Sequence, residues 1–493
     1  MQLNKFRSAP PNASAMIETL RGLGYSTGAA LADIIDNSIS AGAKNISLKF
    51  IWNDLGSSIL VIDDGDGMND AELELAMRLG DKNPTSQRKP NDLGRFGIGL
   101  KSASFSQCRR LTVGSIKNGV LSCLRWDLDY LANNADGGWH LLEGADPSSG
   151  GLIVENMPTT HGTVVLWEVM DRIVTPGFSE QEYLDLIEKV DQTLGMIFHR
   201  FIEGSHPRLK LTINDVPVKP WDPFMSNNSF TMTSPEVPYK TPSGIVKIRG
   251  YVLPHNDQLT TEEYERWGGP DGWNSQQGFY VYRNDRLLVS GGWLGLGGRR
   301  AWTREESHRL ARISVDITNT SDIDWKIDIR KSIARPPLSI RPLLIKIAED
   351  TRAKARRVFA HRGLYNKSTP KEEIHNAWRS EVFKGGIRYR IDTDHPAIKS
   401  IMESSGELSP QIKALLRIIE ETVPVQKIWL DTAEAKETPR TAFAEQPSES
   451  VVEVLTAVFE DLTLRRGMSS ELAKKTLLSS EPFNHYPNLI SNL

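Results

Sequence analysis

The stretch LADIIDNSISAGA, residues 31–43, decides how the rest of the chain is read. Leu31, Ile34, Ile35 and Ile39 recur at helical spacing, which predicts an amphipathic helix over 27–41. Asp33 and Asn37 stand four residues apart and so share the opposite face. A carboxylate and a carboxamide on one pocket wall suit a particular chemistry. The amide oxygen can ligate Mg2+, and the carboxylate can accept a proton from an attacking water. The same pair also suits the solvated side of a surface helix, and this segment alone leaves both readings open.

Outward from that helix, strand-like runs over 46–52 and 58–62 precede a helix over 70–79. The second run ends in VIDDGDGM, residues 61–68, where Asp63 at a strand end can accept a hydrogen bond from an exocyclic amine such as that of adenine. Gly65 and Gly67 would let the backbone approach a ligand closely. A plain turn fits the same residues, whereas a calcium loop lacks the further oxygen ligands and closing glutamate it needs. GDKNPTSQRKPN at 80–91 is rich in turn formers and charge, the composition of a lid over a site. GRFGIGLKS at 94–102 is a glycine-spaced loop opening a helix, so backbone N–H groups and the positive end of a helix dipole face an anion such as a triphosphate. It is neither a P-loop nor a Rossmann turn, because the spacing and the strand context differ. Strands over 111–114, 120–126 and 163–167 complete an alternation that predicts an α/β layer structure.

A second α/β unit is expected over 173–345, with a helix over 180–202 and strands at 209–213, 245–253, 279–282 and 313–317. A basic helical or α+β region follows over 346–430, opening with a helix over 342–361. Its block 351–390 includes Arg356, Arg357, Arg362, Lys384, Arg388 and Arg390, which suits phosphate contacts or a solvated helix face. Residues 431–450 read as a polar linker and 451–493 as a C-terminal helical segment. The 493 residues, 39% hydrophobic and 25% charged, have an ordinary globular composition sufficient for roughly two to four domains. A net charge of -3 argues against a wholesale nucleic-acid coat. Cys108 and Cys123 make no disulfide framework, and no Cys/His cluster has zinc spacing. No run approaches the roughly 18 apolar residues of a membrane span, and the N-terminus has no signal-peptide core, so a cytoplasmic protein with no membrane partner is expected.

Residues 31–43, 61–68 and 94–102, in this order and followed by HGT at 161–163, resemble the N, G1 and G2 boxes and the late threonine of the GHKL ATPases. That superfamily takes in DNA gyrase B, MutL, the ninety-kilodalton heat-shock chaperones, sensor histidine kinases and MORC proteins. GRFGIGLKSASF with its lid, and GFYVYRNDRLLV at 278–289, look most like MORC proteins and their bacterial relatives. The resemblance covers about 16–170 and, through the second motif, extends to about 345. It implies a Bergerat-fold α/β sandwich in 1–172, a transducer-like (S5-like) α/β domain in 173–345 and a mostly helical C-terminal region.

The resemblance also implies ATP and Mg2+ as cofactors, with Asn37 as the metal ligand, Asp63 as the adenine reader and Thr163 as its support. Gly65, Gly67 and Met68 would shape the base pocket. Gly94, Gly97, Gly99 and Leu100 would let the lid wrap the phosphates, with Lys101 holding the β- and γ-phosphates. The hydrolytic base, usually glutamate four residues before the asparagine, is here Asp33, one methylene shorter. A misplacement of about 1 Å can cost roughly 100-fold, so either slow turnover or hydrolysis through a shifted water is expected, with binding unaffected. Relatives of the gyrase and MutL type complete the site with a second-domain lysine. In DWKIDIRKSIARPP, 324–337, Lys331 is the candidate and Lys326 the runner-up. The implied activity is a clamp that forms an ATP-dependent homodimer and acts with DNA, DNA-processing partners or a bacterial (antiviral) defence system. A non-hydrolysing ATP sensor and a chaperone-type ATPase acting on proteins stand as alternatives. A histidine kinase is disfavoured, since about thirty residues precede Asp33 and none is histidine.

Overall fold

In chain order, β1 (Asn45–Ile51), β2 (Ser58–Asp63), β3 (Arg110–Lys117), β4 (Val120–Asp127), β5 (Leu142–Glu143), β6 (Gly162–Glu168), β7 (Lys210–Ile213) and β8 (Val216–Pro217) form one mixed sheet. The computed structural model describes residues 11–80, 99–360, 375–428 and 449–493, apart from positions 135, 299, 323, 329, 330, 332, 384, 385 and 481. The strands lie in the order β5-β4-β3-β6-β2-β1-β7-β8. β2, sequence SILVID, is buried on both faces, which is why it reads as an apolar run and not an alternation. Its Ile59 and Val61 join a core with Leu31, Ile34 and Ile35 of the helix Thr27–Ser40, while Leu60 meets Val164 and Leu166 on the reverse face.

The helices that cover this sheet are α1 (Ala13–Arg21), α2 (Thr27–Ser40), α3 (Asp70–Met77), α4 (Gly99–Phe105), α5 (Leu128–Asn133), α6 (Gly150–Asn156) and α7 (Glu180–Ile197). α2 starts where Ser26 caps the Ala29 N–H. A methyl on Gly28 would lie 2.9 Å from Thr193 Cβ, so glycine allows α2 to approach α7 closely. The α/β reading holds. One element lies elsewhere than expected: β7 pairs in parallel with β1 and extends the first sheet, not the second. Leu211 and Ile213 bury into the first core, and α7 supplies the crossover that a parallel pair requires. The helix expected over 180–202 is broken at Phe198, after which a short turn, His199–Ile202, begins.

A second sheet is formed by β9 (Met232–Thr233), β10 (Val237–Thr241), β11 (Gly244–Val252), β12 (Gly278–Arg283), β13 (Arg286–Ser290) and β14 (Ala311–Ile317). Its order is β10-β11-β14-β12-β13, with β9 paired to β11. The helix Arg341–Ala360 buries Leu344, Ala348, Ala355 and Val358 in this sheet's core. Both sheets lie in one compact unit, 1–366; a second unit spans 367–493. The second unit holds a hairpin, Trp378–Phe383 with Gly386–Ile391, and a mostly helical remainder with a core of Leu455, Val458, Leu462, Leu477 and Phe483. Of the expected linker, 431–448 lies outside the described residues, and a helix begins at Glu449. Among the described residues no helix is long and apolar enough to cross a membrane.

Candidate functional site

α2 carries three polar residues on one side, and they meet different fates. Asn37 is exposed, while Asp33 and Asp36 are buried, at 3% and 0% exposure. A solvated helix face therefore does not describe the two aspartates. The Tyr25 hydroxyl donates to Asp33 Oδ2 at 3.1 Å, and burial followed by the Asp33 charge pushes the Tyr25 phenol up. The remaining partners arrive from beyond the first sheet. Lys331 Nζ donates to Asp33 Oδ1 at 2.9 Å and to Asp36 Oδ2 at 2.5 Å. Arg286, the first residue of β13, places Nε 3.3 and 3.2 Å from the two Asp36 oxygens and Nη2 3.5 Å from Asp33 Oδ1. Burial alone would raise the Asp36 carboxyl, but Arg286 and Lys331 outweigh it and hold Asp36 below the usual carboxylate range. Lys326, the runner-up, is exposed and takes no part. Asp36 and Arg286 were not singled out from the sequence. The available signal was the three-residue spacing of Asp36 from Asp33, which puts both on one helix face.

Asp63 ends β2 and faces Thr163 across the β2–β6 ladder. Ser38 Oγ donates to Asp63 Oδ2 at 2.7 Å and Gly65 N to Oδ1 at 2.9 Å. Burial nonetheless raises the Asp63 carboxyl above its usual range. Its neighbour Asp64 does different work: it accepts from Lys44 N and Asn45 N, both at 2.8 Å, and from Asn45 Nδ2 at 2.6 Å, fixing the start of β1. Burial raises the Asp64 carboxyl, but those donors together outweigh it and hold it below its usual range.

The glycines after β2 are sterically required. Gly67 has φ +67°, and a methyl there would lie 1.9 Å from the Ile116 carbonyl oxygen. A methyl on Gly65 would meet the Ala41 carbonyl oxygen and Cβ at 3.0 Å, and the Gly65 carbonyl lies 2.8 Å from His161 Nδ1. Ser115, unremarked in the sequence, ties the site together. Its Oγ donates to Gly162 O at 3.0 Å, accepts from Met68 N at 2.8 Å and lies 3.0 Å from Thr163 Oγ1. Asp63, Gly65, Gly67, Met68 and Thr163 are thus gathered at one edge of β2, with Asn37 next to Ser38 on the adjoining helix.

The glycine-rich loop is seen in part. Residues 81–98, which take in Gly94, Gly97 and all of the expected lid 80–91 but Gly80, lie outside the described residues. Gly99 opens α4, Leu100 packs against the first core, and Lys101 is 3% exposed with Nζ donating to Ala76 O at 2.8 Å. Lys101 is thus turned toward the end of α3 in this arrangement. In the basic block, Arg356 and Arg357 are exposed on the helix Arg341–Ala360, and Arg362 and Lys384 lie outside the described residues. Arg390 is taken up by Glu420 at 2.7 Å and Glu421 at 3.1 Å.

Residues 25–163 match the family described as histidine kinase-, DNA gyrase B- and HSP90-like ATPases. The chain is also 30% identical over 95 residues to the ATPase morc-1 of Caenorhabditis elegans. That stretch is 19% of this chain and 11% of the relative, so the chain matches about a tenth of the relative's length.

Proposed function

We propose, from the match of residues 25–163 to the histidine kinase-, DNA gyrase B- and HSP90-like ATPases, that the chain is an ATP- and magnesium-dependent conformational clamp. In this reading it hydrolyses ATP slowly and pairs two copies while nucleotide is bound. The residues fit such a ligand. Asp63 keeps a lone pair beyond those used by Ser38, Gly65 and the Thr163 backbone, and Gly65 and Gly67 leave backbone where a side chain would otherwise stand. Asn37 would hold Mg2+ through its amide oxygen, and the ion when bound neutralises phosphate charge. Asp33 takes the proton of the attacking water once Lys331 has left it, and Lys331 turns to the terminal phosphate. The observation that carries the reading is the 2.9 Å pairing of Lys331 with Asp33, which brings a lysine from beyond the second sheet onto the helix that holds Asn37.

The output follows the resemblance to MORC and MutL proteins: a clamp acting with DNA or DNA-processing partners, in a bacterial defence setting. Arg356 and Arg357, both exposed, suit phosphate contact. The test is ATP binding and turnover of the purified protein beside Asp33→Ala and Asn37→Ala, with and without duplex DNA. Asp33→Ala should bind ATP and lose turnover by about 100-fold or more, the size of a general-base effect. Asn37→Ala should lose magnesium-dependent binding. A parent protein that binds no nucleotide ends the proposal. Binding without turnover leaves an ATP sensor, and stimulation by DNA supports the clamp on nucleic acid. A shift in elution to dimer size with a non-hydrolysable analogue tests pairing separately.

A further inference from the structure

Two buried carboxylates, Asp33 and Asp36, face two buried cations, Lys331 and Arg286, across the junction of the two sheets. The charges balance in this group, but the two cations are held very differently. Arg286 sits in β13, paired across the hairpin with Arg283, and its Nη1 donates to Leu287 O at 2.8 Å. A strand and a backbone carbonyl therefore fix it. Lys331 sits in the loop between β14 and the helix Arg341–Ala360, at a left-handed φ of +54°; among the described residues its own N–H to Asp328 O at 3.1 Å and its ammonium contacts hold it, in a turn closed by Ile333 N donating to Asp328 Oδ1 at 2.8 Å. A side chain on a loop can swing away, whereas one on a paired strand stays.

This difference matters for the base. An aspartate whose oxygen accepts a hydrogen bond from an ammonium at 2.9 Å is poorly placed to take a proton from water. Lys331 must leave before Asp33 can act. Its departure would strand two buried carboxylates in a low-dielectric site, an arrangement that is strongly unfavourable unless another cation remains. Arg286 is that cation, because it touches both Asp36 oxygens and lies 3.5 Å from Asp33.

We propose that Arg286 and Asp36 are positioning residues for the hydrolytic step: Arg286 is the fixed counter-ion and Asp36 the seat from which Lys331 is released. The inference rests on the ATPase reading above for its kinetic consequence, but not for its electrostatic one. In the full chain, Arg286→Gln removes the cation that shares both carboxylates with Lys331 and so favours retention of Lys331, with the field of Arg283 on Asp36 left unchanged. The kcat for ATP should fall by about tenfold, with KM changed less than about twofold. Arg286→Lys should recover most of the loss. A structural role alone would give no such division and no recovery by the conservative variant.

The second measurement needs no hydrolysis. Lys331→Met is made in the parent and in Arg286→Gln, and the unfolding equilibrium of all four proteins is measured in urea. The substitution should disfavour the folded state by at least about tenfold more in the Arg286→Gln background, because both counter-ions are then gone. Additive effects overturn the proposal, as does unchanged kcat in Arg286→Gln. Cooperative effects in a protein that hydrolyses nothing would keep the seat and remove the ATPase reading.

Discussion

A methyl group on Gly67 would lie 1.9 Å from the Ile116 carbonyl oxygen, on a backbone already at φ +67°. Both objections are local and add. Gly67→Ala should therefore lower stability by about 1–3 kcal/mol from backbone strain alone, and more once Ile116 is displaced. Urea unfolding would show it, and an unchanged midpoint would refute the close approach. The neighbouring carboxylates offer a pH test. Asp64, lowered by donors at the start of β1, has its folded value below the unfolded value of about 3.9. Its contribution to stability is then complete above that value and lost as pH falls through the lower folded one. The stability gap between the parent and Asp64→Asn should be flat at neutral pH and close below about pH 4; a gap that widens on acidification would show the sign to be wrong. At this scale the sequence was legible where chemistry and geometry coincide in one short run, as at Asp63, Gly65 and Gly67. It was not legible at Asp36 and Ser115, whose partners stand about 250 and 47 residues away in the chain.

At the scale of elements, α2 is placed by a contact between helices as much as by its own periodicity. Gly28 gives Thr193 of α7 the room it needs, with Thr193 Cβ 2.9 Å from where a Gly28 methyl would stand. Gly28→Ala forces the helices apart, and overpacking of this kind costs about 1–3 kcal/mol. Since α2 also carries Asp33, Asp36 and Asn37, ATP turnover should fall with stability. Melting and turnover measured on the same preparation check this, and a variant as stable as the parent would refute the close packing. The strands and helices of the first sheet follow the apolar periodicity closely, which is why the α/β architecture could be read. β7 could not be assigned to its sheet in that way. An alternation such as Leu209, Leu211 and Ile213 shows that a strand exists, but the choice of β1 as neighbour is made by α7, eighteen residues long, carrying the chain across the sheet.

Over the whole of the first unit, two sheets with separate cores are joined by ion pairs, a hydrogen bond, apolar packing and a cation stacked on a ring. Lys331 and Arg286 reach the α2 carboxylates, His199 Nε2 lies 2.8 Å from the Tyr282 hydroxyl, and Met196 at the end of α7 packs in an apolar cluster with Tyr280 and Tyr282 of β12. Arg200 adds an ion pair to Asp316 and stacks 3.5 Å from the centre of the Tyr282 ring. Such a junction couples apolar burial to satisfied buried charge, and elements tied in that way open together. Residues 11–360 should thus unfold as one cooperative body despite their two sheets. Hydrogen exchange followed through increasing urea provides the measurement. Amides of β1 and β2 and amides of β12 and β14 should lose protection at the same urea concentration, and Mg·ATP should move both upward by an equal amount, about 2.7 kcal/mol at 100 times Kd. Earlier opening of β12 and β14 would mean that the second sheet is only docked on the first. A nucleotide effect confined to β1 and β2 would mean that the ion pairs at Asp33 and Asp36 transmit nothing between the sheets, and the clamp would lose its connection from site to second sheet.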